Sequence, residues 1–475
     1  MNHFDQPLKT EGRALTFLQK FTYSFGNVGT NLAPGLVVGW MIYYYTGRPV
    51  SEGSEETILL VGAGTIAFLN FLGRLVDSLA DPLIGYLSDR WQTRWGRRIP
   101  WVVLGAPLLT LFLIMMWFPP DEHTSLANAI WLGAALSGIW FFYTAVVAPY
   151  LSMLPEITPY TDERVVLSTY MSYFDVVGML LSSLVIGFVF EAFADGLTLG
   201  PLVLTDGYKV GGILISILML ISFWLSVIMV RERPQHEIKK IDYNFLRAAR
   251  ECTKNPAFWP YIATVSLLRL GVDILIAMIP FMVIRLMGYG EAVAGALQGV
   301  IIIIAALFFP LTAYLANKVG KKKMFLIALL WFAVQIPLLA LVQHFPFVGY
   351  AVAAIAGLFG ATMDANAVML AHCIGLFVLA FYPVSAALVL PRAIYADIMD
   401  YDEKLTGYRR EAMYNGMEGL ITKFAAGVAG AVVPLMVVHL GGTPTAPWGI
   451  LLAGPLCGLT FFLGWVAFRK HPFAY

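Results

Sequence analysis

From residue 22 almost to its end, the chain alternates long apolar runs with short polar turns. Each run is about 20 residues long and continuous, without the every-second-residue alternation of a half-buried strand. A run of about 20 apolar residues carries a helix across the hydrocarbon core of a bilayer. Backbone in lipid must satisfy its own hydrogen bonds, so only helices or closed barrels can span it. Uninterrupted runs select helices. Read against turn signals, the pattern predicts spans at 22–46, 58–84, 100–118, 126–152, 166–192 and 209–230. After a polar stretch it predicts 257–286, 291–316, 323–343, 366–396, 411–438 and 446–469. The expectation is an all-α membrane protein of about twelve transmembrane helices.

Charge in the loops tests that register, because cytoplasmic loops gather Lys and Arg. Arg90, Arg94, Arg97 and Arg98 follow the second span. The linker 231–256 carries Arg231, Arg233, Lys239, Lys240, Arg247, Arg250 and Lys254. Lys318, Lys321, Lys322 and Lys323 follow the eighth span, and Lys404, Arg409 and Arg410 the tenth. The alternate loops hold at most Arg48, Lys209 and Arg285. Both termini are therefore expected in the cytoplasm. The apolar segment 348–363 would invert everything after it as a thirteenth span, so it reads as an extension of the ninth helix or an interfacial or re-entrant piece.

A faint repeat divides the chain. Tyr86-Leu87-Ser88-Asp89-Arg90 with Gly96-Arg97-Arg98 follows the second span; Tyr314-Leu315-Ala316-Asn317-Lys318 with Gly320-Lys321-Lys322 follows the eighth. One turn recurring six helices later predicts two six-helix bundles, 1–230 and 257–475, joined by a cytoplasmic linker at 231–256. A solute site is expected between them.

Composition agrees with lipid as the solvent. Apolar residues make up 59% of the 475 and charged residues 13%, against about 25% charged in soluble domains. A net charge of +1 argues against a nucleic-acid partner. Cys252, Cys373 and Cys457 form neither a disulfide framework nor a metal spacing. The polar residues 1–20 lack the apolar core of a cleavable signal. No Walker loop appears, so an ion gradient is the expected energy source. Without a nucleophile-and-base arrangement the chain reads as no enzyme and needs no cofactor.

The informative residues are charges inside apolar spans. Asp77 and Asp81 lie one helical turn apart in the second span, with Arg74 on nearly the same face. Two carboxylates at membrane depth repel and cost several kcal/mol unless they meet a cation, a proton or a base. A bound Na⁺ or a proton would relieve both penalties; the structural alternative is an Arg74–Asp77 pair. Arg269 and Asp273 in the seventh span have ion-pair spacing, and Asp175 in the fifth has no local partner. In the eleventh span Lys423 is the basic group best placed to meet Asp77 or Asp81, while Glu418 lies on a different face. An acid pair that releases its cation needs such a partner before the empty carrier can return.

Two stretches carry a resemblance. The first is Arg74-x-x-Asp77-x-x-x-Asp81-Pro82-x-x-Gly85, running into Arg94-Trp95-Gly96-Arg97-Arg98-x-Pro100-Trp101. The second is Ala396-Asp397-Ile398-Met399-Asp400-Tyr401-Asp402-Glu403, then Thr406-Gly407-x-Arg409-Arg410-Glu411-Ala412. Both resemble signatures of the glycoside–pentoside–hexuronide:cation symporters, a twelve-helix branch of the major facilitator superfamily.

The resemblance implies a cation site at Asp77 and Asp81 that takes Na⁺ or H⁺, helped by Thr144 and faced by Lys423. It implies gating roles for Arg74, Asp89, Arg97, Arg98, Asp397, Asp400, Arg409, Arg410 and Glu411. Departures from the family pattern matter as much. Ala80 replaces an asparagine and Val147 an aspartate, so cation ligands are lost and H⁺ gains over Na⁺. Asn31, Leu151 and Met171 stand where the family's galactoside carriers place an aspartate, a tryptophan and an arginine. With Val147, Asp175 and Asp273 these are the candidate cavity residues.

The expected function is cation-coupled symport of a glycoside, sugar or related solute by alternating access, in a monomer of the inner membrane. Alternatives are symport of a lysolipid-like amphipath, suggested by the apolar replacements and by the family's lysophosphatidylcholine members, or a non-transporting sensor.

Overall fold

The computed structural model describes residues 15–49, 57–90, 93, 95–158, 161–230, 254–406 and 411–472. The predicted linker lies outside the described residues except for 254–256, and so do Arg409 and Arg410. The side chains of Asp89 and Glu411 also fall outside the description.

Among the described residues, eight helices are long and apolar enough to cross a membrane, nine if the pair Ala365–Leu379 and Phe381–Lys404, bent by 46°, is one span. Helices also fill the other three predicted positions. Phe17–Leu36 continues to Thr46 but carries Asn27, Thr30, Asn31 and three consecutive tyrosines. Ala63–Arg90 carries Arg74, Asp77 and Asp81. Ile99–Met115 has only 17 residues. Each predicted span thus contains a helix, and polarity or shortness keeps these three below a purely apolar measure.

Local chemistry sets the starts. Thr16, Ser125, Asp206 and Asp364 each accept a hydrogen bond from the backbone N–H three residues on, filling a donor that a helix start leaves open. Wide π-helical turns occur at Val37–Met41 in the first span, Leu181–Val185 in the fifth and Phe281–Leu286 in the seventh. The first and seventh spans are counterparts in the expected repeat, and both widen near the end opposite the chain termini.

Within the first six spans, the first packs on the fifth and sixth, the second on the fourth, and the third on the fourth and sixth. In the last six, the seventh packs on the eleventh and twelfth, the eighth on the tenth, and the ninth on the tenth and twelfth. The two sets meet along the second and eleventh spans, and the fifth and eighth. At the end opposite the termini, Tyr208 OH donates to Glu291 Oε1 at 2.9 Å and the Ala292 N–H donates to Glu191 Oε2 at 2.9 Å. Tyr43 and Phe281 meet edge-on with centroids 5.2 Å apart. A Cβ on Gly187 would lie 2.5 Å from the Glu291 carbonyl oxygen, so only glycine allows that backbone approach.

Two features depart from the sequence pattern. The ninth helix does not extend into 348–363: it ends at Leu341, and a separate helix runs Phe347–Leu358. Twelve residues reach about 18 Å, short of a hydrocarbon core of about 30 Å. Its tip is exposed, Leu358 at 84% and Phe359 at 85%, so it suits an interface and not a crossing. The second is a hairpin, Leu197–Leu199 with Leu202–Leu204, between the fifth and sixth spans.

Candidate functional site

The second and eleventh helices can approach because the eleventh is smooth where they meet. A Cβ on Gly427 would lie 3.2 Å from Arg74 Cβ, and one on Gly430 would lie 3.0 Å from Asn70 Cβ. That seam places Lys423 directly over the acid pair. Lys423 Nζ donates to Asp77 Oδ1 at 2.9 Å and to Asp81 Oδ2 at 2.7 Å. Thr144 of the fourth span donates to Asp77 Oδ1 at 2.5 Å and stands 3.5 Å from Asp81 Oδ1. Arg74 closes the group, with one guanidinium nitrogen 3.6 Å from Asp77 Oδ2 and its plane 3.5 Å above the Trp140 ring.

Two carboxylates and two bases sum to zero charge, which is how the cluster is tolerated at membrane depth. The members differ in access. The Asp77 side chain is 1% exposed, while those of Asp81 and Lys423 are 31% and 22% exposed. Of the two acids, Asp81 is the one that solvent reaches. Ala80 and Val147 are buried, and neither side chain carries an oxygen.

A second polar group forms between the first and fifth spans. Asn27 and Asn31 both donate to Asp175 Oδ1, at 2.9 and 2.8 Å. Tyr150 OH orients Asn27 by donating to its side-chain oxygen at 2.7 Å. The partner that Asp175 lacks in its own helix therefore comes from the first span. Met171 and Val147 are buried in the packing and Leu151 is exposed.

Asp273 belongs to neither group. It pairs with Arg269 at 3.0 Å and, with Asn70, Arg74 and Trp140, lines a small cavity on the far side of Asp77 from the termini. Of the expected gating residues, Asp397 pairs with Lys321 at 2.7 Å and Arg98 donates to the Ser152 carbonyl. Arg97 is half-buried and Asp400 exposed at the same end.

Sequence reasoning passed over Trp140, Asn27 and, above all, Arg392. Arg392 stands immediately after Pro391 inside the tenth span and is exposed. The carbonyl of Pro391 accepts from Tyr261 OH at 3.2 Å. An arginine within an apolar run was the signal. Glu418 faces away from the Lys423 cluster, its Oε1 accepting from Tyr261 OH at 2.9 Å.

Comparison with known proteins gives the family and the fold. The profile of a family described as MFS/sugar transport protein matches residues 22–449. The isoprimeverose transporter of Lactiplantibacillus pentosus is 22% identical over 427 residues, 89% of this chain and 80% of that protein. The human sodium-dependent lysophosphatidylcholine symporter 1 is 25% identical over 186 residues, 38% of this chain and 33% of that protein. The crystal structure of the nucleoside transporter NupG superposes with a TM-score of 0.61 at 11% identity, covering 97% of this chain and 100% of that one. At that identity the match concerns the fold alone: all-α, of the major facilitator type.

Proposed function

Because this chain belongs to the MFS/sugar transport protein family, we propose that it carries a sugar or glycoside across the cell membrane in symport with a proton. Relatives named as sugar transporters and glycoside/cation symporters support the class of cargo. The observation that carries the coupling is the bridge from Lys423 to both Asp77 and Asp81.

In this reading the empty carrier is neutralised by its own lysine. A proton loading Asp81 removes one negative charge, and Lys423 is left to Asp77 alone. The proton is favoured over Na⁺ on ligand supply. Asp77, Asp81 and Thr144 provide the side-chain oxygens at hand, and Lys423 already engages one on each acid. Solute binds between the halves near Asn31 and Asp175, and residues 1–230 and 257–475 rock as two six-helix bundles about it. The alternating loop charge supports a cytoplasmic side for both termini, and the monomer is the working unit.

Proteoliposome uptake across a panel of sugars and glycosides is the test. An inward proton gradient should drive accumulation of at least one member, while an inward Na⁺ gradient at constant pH should not. Accumulation driven by Na⁺ alone would reassign the ion. A second reading rests on an apolar crevice beside Arg74, lined by Phe71, Leu75, Leu79, Leu420, Ile421 and Phe424 between the second and eleventh spans. Uptake of a lysolipid with no response to any sugar would favour it. A protein that moves neither class under either gradient would be a sensor.

A further inference from the structure

Arg74 of the first half and Asp273 of the second line one cavity of about 20 Å³, walled in part by Ala429 and Gly430 of the eleventh helix. A buried water needs about 10–15 Å³ and two to four polar partners. This cavity offers both. Arg74 brings N–H donors, Asp273 carboxylate oxygens and Asn70 an amide. Trp140 stands in the same wall, with a buried indole N–H that no described residue accepts.

Neither of the facing charges is fully engaged where it stands. An Arg74 guanidinium nitrogen lies 3.6 Å from Asp77 Oδ2, beyond hydrogen-bond reach. That buried oxygen has no hydrogen-bond partner among the described residues. On the other half, the Asp273 side chain is 5% exposed while its partner Arg269 is 49% exposed. Solvent therefore screens the charge of Arg269 more than that of the acid.

We propose that one water in this cavity joins Arg74 to Asp273 across the halves, and that Asp273 takes up the arginine's charge when a proton loads the acid pair. This rests on the proton-symport reading above and deepens it. With both acids ionised, Asp77 and Asp81 balance Arg74 and Lys423. A proton on Asp81 forms an O–H bond there, displaces the hydrogen bond from Lys423 and leaves that lysine to Asp77. One positive charge is then in excess at membrane depth, where it needs a counter-charge. The acid that shares a cavity with Arg74 is Asp273. Loading thus tightens a contact between the second and seventh spans, on the side remote from the termini. Asp273 is a positioning residue, acting on the coupling site through Arg74.

Thermal unfolding of the purified full-length protein tests this through a double-mutant cycle of Arg74→Gln with Asp273→Asn. The cycle is run with Asp81 intact and again with Asp81→Asn, which stands for the protonated acid. Residues that interact give non-additive losses. Asp273→Asn should lower the unfolding temperature about half as much in Arg74→Gln protein as in the parent, and that gap should widen with Asp81→Asn. An aspartate that only packs would not respond to position 81. If Arg74→Gln does not fold, the cycle of Asp273→Asn with Asp81→Asn serves: the loss at 273 should be greater when position 81 is neutral. Additive losses, or a coupling that Asp81→Asn leaves unchanged or weakens, would overturn the inference. Proton-driven uptake decides the symport reading separately, and uptake alongside additive losses would keep that reading and remove this one.

Discussion

Asp77 and Lys423 lie 346 positions apart in the chain, yet their side chains meet at 2.9 Å inside the bundle. This contact ties one half of the carrier to the other at the point where an ion would enter. Removing one partner of a buried pair costs about 3–5 kcal/mol, because the other charge is left stranded. Asp77→Asn should therefore lower the unfolding temperature markedly. Asp81→Asn, at the more exposed acid, should lower it less. Both should abolish concentrative uptake, but Asp81→Asn should retain solute exchange across a membrane without a gradient. Exchange and uptake in the same proteoliposomes separate the cases; equal loss of both for Asp81→Asn would count against a coupling role.

The hydrogen bonds from Asn27 and Asn31 to Asp175 make a distinct prediction. Asn31→Asp would place a second carboxylate where an amide now donates at 2.8 Å. Like charges should then push Asp175 out of position. Solute affinity should fall by at least tenfold, with little change in the proton response of the empty carrier. Asn31→Ala should be milder, losing one charge-assisted bond of about 1.5–3 kcal/mol while Asn27 still holds the acid. Binding titrations on both variants would give the order, and the reverse order would refute the arrangement.

At the end remote from the termini, among the described residues, the hydrogen bond from Tyr208 to Glu291 is one of two that join the halves, beside the one from the Ala292 N–H to Glu191. Tyr208→Phe deletes it for about 1 kcal/mol, which is roughly a fivefold change in a two-state population. The variant should spend more time open at that end. Accessibility of a cysteine introduced at Ala292, buried beside Glu291, should rise by about that factor, and no change would show that the bond does not latch the halves.

Beyond the last span, burial and the nearby Lys322 ammonium push the His471 imidazole down to about 4 from its ordinary 6.5. The folded state thus disfavours a proton that the unfolded chain accepts. This contribution to stability is complete above about pH 6.5 and is lost as pH falls toward 4. Unfolding temperatures measured in detergent from pH 7 to 4 should decline, and His471→Gln should flatten that decline. A variant with the unaltered slope would assign it to other groups.

The helical spans were legible in the apolar pattern because each must close its own backbone bonds in lipid. Asp77, Asp81 and Lys423 were legible because a charge in lipid has to be explained. Distances across the fold were not. Nothing in the order of residues says that Asn31 and Asn27 supply the partner Asp175 lacks. The break between Leu341 and Phe347 was hidden too, since an apolar segment of 348–363 fits a continued helix as well as a separate one. Its exposed tip became visible only when the neighbours were in place.

The glycines of the eleventh helix leave a further mark. With no side chain at 427 or 430, no ridge of this helix interlocks with the second at those points. A side chain at either place would prop the two helices apart, and Lys423 would be drawn off both carboxylates together. The reach of one ammonium is thus set by two positions that carry no side chain at all.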